Sequence, residues 1–292
     1  MTLHQEVRSA LRELDLRAKK SRGQNFLIHE HVVEAILRLL HLESEDEVLE
    51  IGPGLGFLTR RVVADAKKVW AVEVDGRLIE YLQRRDWSAR ANFQLIAGDI
   101  LQVPIVDWLP DRKIKVLGNL PYNISTEVLF RLFDLRGHFS CLVIMLQKEV
   151  ADRLASGPGT KDYGVLSVWC QLHGVVTDKV SVSPEAFFPK PTVRSTVLRI
   201  DLREQSLVDE KEFPAMKNLL RAAFGQRRKT LSNGLVTWLQ RERGAIDNLL
   251  AEHKIDPKRR GESLAVNEFV ALMSGLRARG WLVPAQRGLA NA

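Results

Sequence analysis

Three groups of residues along this chain have types and spacings that can do chemistry. The stretch "LEIGPGLGFLTR" (49–60) sets Gly52, Gly54 and Gly56 between a strand-like run and a helical one. Glycines at such a turn let a ligand approach the backbone closely. About twenty residues further on, "KVWAVEV" closes at Glu73, where a carboxylate can accept hydrogen bonds from ribose hydroxyls. The next strand-like run ends in "AGD", placing Asp99 where it can accept from an adenine amino group. A fourth run, "KIKVLG", leads into Asn119, Leu120, Pro121 and Tyr122, a stretch with no acid, histidine, thiol or lysine.

The glycine spacing separates two kinds of nucleotide ligand. A dinucleotide fingerprint is G-x-G-x-x-G, whereas these residues give G-x-G-x-G. Pro53 also removes a backbone N–H that a phosphate cradle would use. Two carboxylates facing one pocket disfavour a pyrophosphate and suit a ligand with positive charge. S-adenosyl-L-methionine has an adenosine, a sulfonium, an amino-acid end and no phosphate. Each acid alone reads equally as a solvated strand end, and the loop alone as a tight turn. Their order along the chain points to the sulfonium cofactor.

Asn119 to Tyr122 then suit attack by an exocyclic adenine amine. The nitrogen lone pair is delocalised into the ring, so the amine is a poor nucleophile. The Asn119 side-chain oxygen and the Leu120 carbonyl can each accept one N6–H, localising electron density and orienting the nitrogen. Pro121 stiffens the segment, and Tyr122 offers a ring to stack on the base. No general base is needed, because a methylated, cationic aryl amine loses its proton to water. The plainer reading is a turn that delivers Ser125 as a helix N-cap. Phe187, in "EAFFPKP" (185–191), offers a second ring for the other face of the base, or simple loop packing.

Positioning these groups requires a particular order of elements. Residues 3–17 have the spacing of a short amphipathic helix, followed by a basic link, "RAKKSRGQNF", and a second helical pattern, "HVVEAILRLLHL". The runs "EVLEIG", "KVWAVEV", "NFQLIAG", "KIKVLG" and "FSCLVIML" are apolar and mostly alternate with helical patterns such as "DGRLIEYLQRR" and "STEVLFRLF". That alternation predicts an α/β fold with a parallel, doubly wound sheet covered on both faces. "GVVTDKVSV" and "TVRSTVLRID" follow without a helix between them and suit an antiparallel edge. From about residue 205 only helical patterns remain, which sets domains at 1–204 and 205–292. The dozen residues after Trp281 are expected to be loose.

Composition narrows the partners. The 292 residues carry a formal charge of +7, with ordinary hydrophobic (45%) and charged (27%) fractions, which makes nucleic acid the first suspect. Cys141 and Cys170 fit no metal spacing and read as reduced core residues of a cytoplasmic protein. No run is long enough for a membrane span, and no leader pattern opens the chain. His29 and His31, two apart, are expected on different helix faces, so no metal site is predicted.

Taken in order, six segments resemble the small-subunit ribosomal RNA adenine N6,N6-dimethyltransferases of the KsgA/RsmA type. They are "GQNFL" (23–27), "EIGPGLGFLT" (50–59), "VEVD" (72–75), "GD" (98–99), "GNLPYNIS" (118–125) and "LQKEVADRL" (146–154). "KDYGVLSV", "AFFPKPTVRSTVLR" and "FGQRRKTLSN" extend the likeness over about residues 18–275. The resemblance implies a class I, Rossmann-like methyltransferase with a seven-stranded, mainly parallel sheet and a helical C-terminal domain that docks on the ribosome. It implies that Asn25 and Leu27 contact the cofactor, with Gly52 and Gly54 at its amino-acid end, Glu73 at the ribose and Asp99 at the adenine. Asn119 would lie between cofactor and target, with Tyr122 and Phe187 sandwiching the base. The implied reaction is dimethylation of two adjacent adenosines in the 3′-terminal hairpin loop of small-subunit rRNA, on an immature 30S-type subunit, by a monomer. Phe57 and His29 depart from the family pattern, which has a smaller residue and a helix-capping aspartate there. The basic stretches "AKKSR", "GQRRKT" and "PKRRG" would contact the rRNA backbone. Four alternatives stay open: an enzyme acting on large-subunit rRNA, an enzyme acting on DNA adenine, an assembly checkpoint with methylation secondary, and a nicotinamide oxidoreductase.

Overall fold

In the computed structural model, residues 2–14, 25–226 and 228–282 are described. The basic link at 17–24, Arg227 of "GQRRKT" and the tail beyond 282 lie outside them. The chain forms two compact units, Met1–Ala151 with Gly174–Glu204, and Asp152–His173 with Gln205–Ala292.

The first unit opens with α1 (Leu3–Glu13), started by a capping box in which Thr2 and Gln5 satisfy each other's backbone N–H. Then come β1 (Phe26–Leu27), α2 (Glu30–Leu40), β2 (Glu47–Ile51), α3 (Phe57–Asp65), β3 (Lys68–Glu73), α4 (Gly76–Gln83), β4 (Phe93–Ala97), β5 (Ile114–Asn119), α5 (Ser125–Asp134) and β6 (Phe139–Gln147). The chain leaves this unit within α6 (Lys148–Ala155) and, after α7 (Val165–His173), returns as β7 (Gly174–Val182), β8 (Phe187–Phe188) and β9 (Ser195–Leu202). Helices α1 to α5 each bury one mainly apolar face. In α2 the buried residues are Val32, Val33, Ile36, Leu39 and Leu40, the spacing of a 3.6-residue repeat. His29 precedes α2 at the N-cap and makes no side-chain cap bond.

Seven strands pair in the order β4-β3-β2-β5-β6-β9-β7. All neighbours from β4 to β6 are parallel, and β9 runs antiparallel to both β6 and β7. The chain moves outward from β2 to β4 and then returns to lay β5 against the other side of β2. That reversal is a topological switch point, and it opens a crevice at the carboxyl ends of β2 and β5. Ile51 and Gly118 are register partners there. The glycine loop, Glu73, Asp99 and Asn119 all come from this edge of the sheet.

Two elements were not legible beforehand. β1 and β8 form a separate two-stranded ribbon, with Phe26 opposite Phe188 and Leu27 opposite Phe187. Helix α7 lies in a stretch with no expected element, and residues 152–173 belong to the helical unit rather than to the sheet domain drawn at 1–204. The reason is packing: Trp169 of α7 meets Phe213 edge-on at 5.4 Å, and the Tyr163 hydroxyl donates to the Leu264 carbonyl at 2.8 Å. That unit continues with α8 (Phe213–Phe224), α9 (Leu231–Leu239), α10 (Arg243–Glu252) and α11 (Val266–Ala278). Among the described residues, no helix is long and apolar enough to cross a membrane.

Candidate active site

A cavity of about 360 Å³ occupies the switch-point crevice. Asn25, Phe26 and Leu27 wall it on one side, Gly52 to Leu55 on another, Glu73 to Asp75 on a third, and Asn119, Pro121, Asn123 and Ile124 on the fourth. Its volume is within the range of small-molecule sites. The lining holds three carboxylates, Glu50, Glu73 and Asp75, and among the described residues no lysine, arginine or histidine. In a chain of net charge +7 this is a local reversal of sign.

The glycine loop is built as its composition requires. Gly52, Gly54 and Gly56 have φ of 68°, 60° and 78°, all left-handed. Gly54 lies over the Phe26 ring, with room for a Cβ at 3.5 Å, and its N–H donates to Glu73 Oε2 at 3.2 Å. Gly56 serves close helix packing instead, since a Cβ there would meet Trp87 at 2.6 Å and Leu82 at 2.8 Å.

Glu73 is buried, and its Oε1 accepts from the N–H groups of Val74 and Asp75 at 2.9 and 3.0 Å. Burial raises its pKa, and the backbone donors of Asp75, Gly54 and Val74 oppose that rise. Its carboxylate is therefore fixed in position with lone pairs left to accept more bonds. Asp75 caps α4 through the Arg77 N–H.

Asn119 ends β5, and its Nδ2 donates to the Asn25 carbonyl at 3.3 Å. This bond settles which way the amide faces: the NH₂ turns to Asn25 and Oδ1 turns away. Among the described residues, Oδ1 accepts no hydrogen bond. The Leu120 N–H donates to the Met145 carbonyl at 3.2 Å, pinning the start of the segment to β6. Tyr122 is half-buried, and its hydroxyl lies 2.9 Å from Ser195 Oγ at the start of β9. Ser125 lies inside α5, not at its N-cap, which is Ile124 without a side-chain bond.

Asn25, Leu27, Gly52, Gly54, Glu73, Asn119 and Pro121 thus line one cavity, whereas Asp99, Leu120, Tyr122 and Phe187 do not line it. Asp99 Oδ1 accepts from the Leu101 N–H at 2.9 Å and caps the turn after β4. Phe187 has 2% of its surface exposed and packs in the core with Leu27, Met145 and Val197, because its strand pairs with β1. The exposed ring expected there is absent, and Phe188 is the partly exposed neighbour. Phe57, noted for its size, does line the cavity. The rings of His29 and His31 are neighbours at 5.2 Å rather than on opposite faces, because His29 precedes the helix. Sequence reasoning missed Glu50, Val74, Asp75, Asn123 and Ile124. Glu50 was readable as a charge inside an otherwise apolar strand; Val74, 67% exposed at a strand end, carried no such signal.

In the helical unit, "PKRRG" divides by role. Arg259 binds Glu268 through both terminal nitrogens and donates to the Ser263 carbonyl, a structural use of its charge. Lys258 and Arg260 are exposed.

A doubly wound sheet ending in antiparallel strands, with a glycine loop and an acidic crevice at the switch point, defines a class I, Rossmann-like methyltransferase fold. The chain belongs to the ribosomal RNA adenine dimethylase family, whose model matches residues 15–274. It is 43% identical over 269 residues to the ribosomal RNA small subunit methyltransferase A of Geobacter metallireducens, covering 91% of this chain and 98% of that one. The protein of the same name from Geobacter sulfurreducens is 44% identical over 269 residues, covering 91% and 97%. A crystal structure of a dimethyladenosine transferase from Plasmodium falciparum superposes with a TM-score of 0.76 at 27% identity, covering 87% of this chain and 98% of that one.

Proposed function

We propose that this protein uses S-adenosyl-L-methionine to dimethylate N6 of two adjacent adenosines in the 3′-terminal hairpin loop of small-subunit rRNA. It acts as a cytoplasmic monomer on the immature 30S-type subunit. The observation that carries this reading is the cavity lining: three carboxylates and, among the described residues, no base and no partner for the Asn119 amide oxygen. A pyrophosphate would be repelled there, which disfavours a nicotinamide dinucleotide. The relatives' names support the small-subunit reading over the large-subunit one.

The residues present fit the cofactor. Gly52 and Gly54, without side chains, let its amino-acid end approach the backbone, Glu73 offers a fixed carboxylate to the ribose, and Val74 and Phe57 supply apolar cover. Asp99, which does not line the cavity, is the adenine contact from the turn after β4. When bound, S-adenosylmethionine supplies an electrophilic methyl group.

The chain's own residues prepare the acceptor. Asn119 Oδ1 and the Leu120 carbonyl take the two N6–H donors and hold the amine toward the crevice. Tyr122, tethered to Ser195, gives the base a stacking face. Phe187, buried in the core opposite Leu27 of the β1–β8 ribbon, backs the cavity wall that Leu27 lines rather than stacking on the base. The proton leaves to water. Exposed Arg228, Lys229, Lys258 and Arg260 of the helical unit contact rRNA phosphates.

Incubating the protein with immature small subunits and labelled cofactor, then mapping modified bases, tests this. Label is expected on adenosine N6 alone; label elsewhere refutes the reading. Asn119→Ala should lower turnover on the order of 10²-fold. If that variant still supports subunit assembly, catalysis and the assembly role are separable.

A further inference from the structure

Glu50 has no part in the chemistry above, yet it is the most unusual group in the cavity. It sits on β2, two residues before the glycine loop, with 2% of its surface exposed. Among the described residues its Oε2 reaches no hydrogen-bond partner. Its register partners, Ala71 of β3 and Leu117 of β5, are apolar. The other charged groups of the cavity lining are also acids: Glu73, two residues beyond Ala71 and so on the same face of the sheet, and Asp75. A buried carboxylate without a cation beside it costs several kcal/mol when ionised. Such a group is retained neutral, or it waits for a positive ligand.

We propose that Glu50 is the counter-charge for the cationic donor: protonated in the free protein at mildly acid pH, it releases that proton to solvent when S-adenosylmethionine enters, so that the site prefers the donor over its spent, uncharged-sulfur product. The inference rests on the functional reading above and deepens it. Burial first, then the nearby charge of Glu73, pushes the Glu50 carboxyl up to about 7, with the Thr59 hydroxyl opposing the rise. A group poised there changes its charge state within the working pH range. The donor carries a sulfonium that the product, a thioether, lacks. An ionised Glu50 therefore gains a partner from the donor that the product cannot supply in full, and the difference favours product exchange.

The test is calorimetric titration of the full chain with S-adenosylmethionine and with S-adenosylhomocysteine, at pH 6 and pH 7.5, in two buffers of different ionisation enthalpy. The ionised fraction of Glu50 rises from about one tenth to about three quarters across this range, so donor Kd should tighten roughly five- to tenfold. Buffer dependence at pH 6 should report release of nearly one proton per donor bound. The product should show a smaller pH dependence. In Glu50→Gln, proton release and the pH slope should vanish, and preference for donor over product should fall at least several-fold. Glu50→Asp, which keeps the acid, should retain proton release and guards against a folding defect in the amide variant. An unchanged slope in Glu50→Gln, or donor binding without proton release in the native chain, overturns the proposal while leaving the functional reading intact. Failure to bind the donor at either pH overturns both.

Discussion

Glu50 also makes a prediction about the free protein that needs no ligand. Raising a buried carboxyl from its ordinary value of 4.5 to about 7 means that folding resists its ionisation. Its contribution to stability is full below pH 4.5 and is lost as pH rises through 7. At about 1.4 kcal/mol per pH unit, the free protein at pH 8 bears a penalty of about 3 kcal/mol from this one group. Glu50→Gln cannot ionise, so at pH 8 it should be the more stable protein, by up to that amount less the cost of seating an amide there. At pH 5 most of the advantage should be gone.

Urea denaturation of both proteins at pH 5, 6.5 and 8, followed by tryptophan emission, measures the difference. Hydrogen exchange of β2 and β5 peptides assigns the transition to the sheet unit. The shift in midpoint should grow with pH and flatten above 7. Saturating donor should erase it, because the bound cation relieves the native carboxylate and not the amide. A stability difference independent of pH would show that Glu50 is ionised or neutral throughout, and the buried-acid reasoning would fail. A destabilised Glu50→Gln at every pH would mean that packing around this side chain outweighs its charge.

The last two glycines of the loop should separate by phenotype. Gly54→Ala keeps an ordinary contact with Phe26 but strains a left-handed backbone by about 1–2 kcal/mol; it should fold and weaken donor binding about tenfold in calorimetry, whereas Gly56→Ala, driven into Trp87, should fail by thermal denaturation first. In the helical unit, Arg260→Ala should reduce the salt dependence of subunit binding by about one counterion. Arg259→Met should instead cost about 1 kcal/mol or less of stability, its ion pair being partly exposed, and leave that slope unchanged. Tyr122→Phe and Ser195→Ala should each slow methyl transfer by a few-fold, the worth of one neutral hydrogen bond. The double variant should be no slower than either, and full additivity would show that the two hydroxyls act separately.

What was legible in the sequence follows from where the free energy lies. The strands β2, β3, β5 and β6 are buried from both sides, so they read as mainly apolar runs, and their alternation with helices specifies the switch-point crevice without coordinates. The ends of those runs bring Gly52, Glu73 and Asn119 to one cavity for the same reason. Helix α7 was hidden because "VLSVWCQLH" is buried almost all round and so shows no stripe. The β1–β8 ribbon was hidden because two residues are too few for alternation and their partners lie some 160 positions apart. Missing that pairing is what left Phe187 as a free ring, when its strand register commits it to the core. Asp99 was read as a ligand group from its place at a strand end, yet a short acid there can also cap the next turn, and its bond to Leu101 shows that local use. Glu50 is the opposite case. An acid in a run as apolar as "EVLEIG" conflicts with burial on both faces, and such a conflict is tolerated where a ligand resolves it. The informative residue was therefore the one that broke the strand's own pattern, two positions before the glycines that first drew notice.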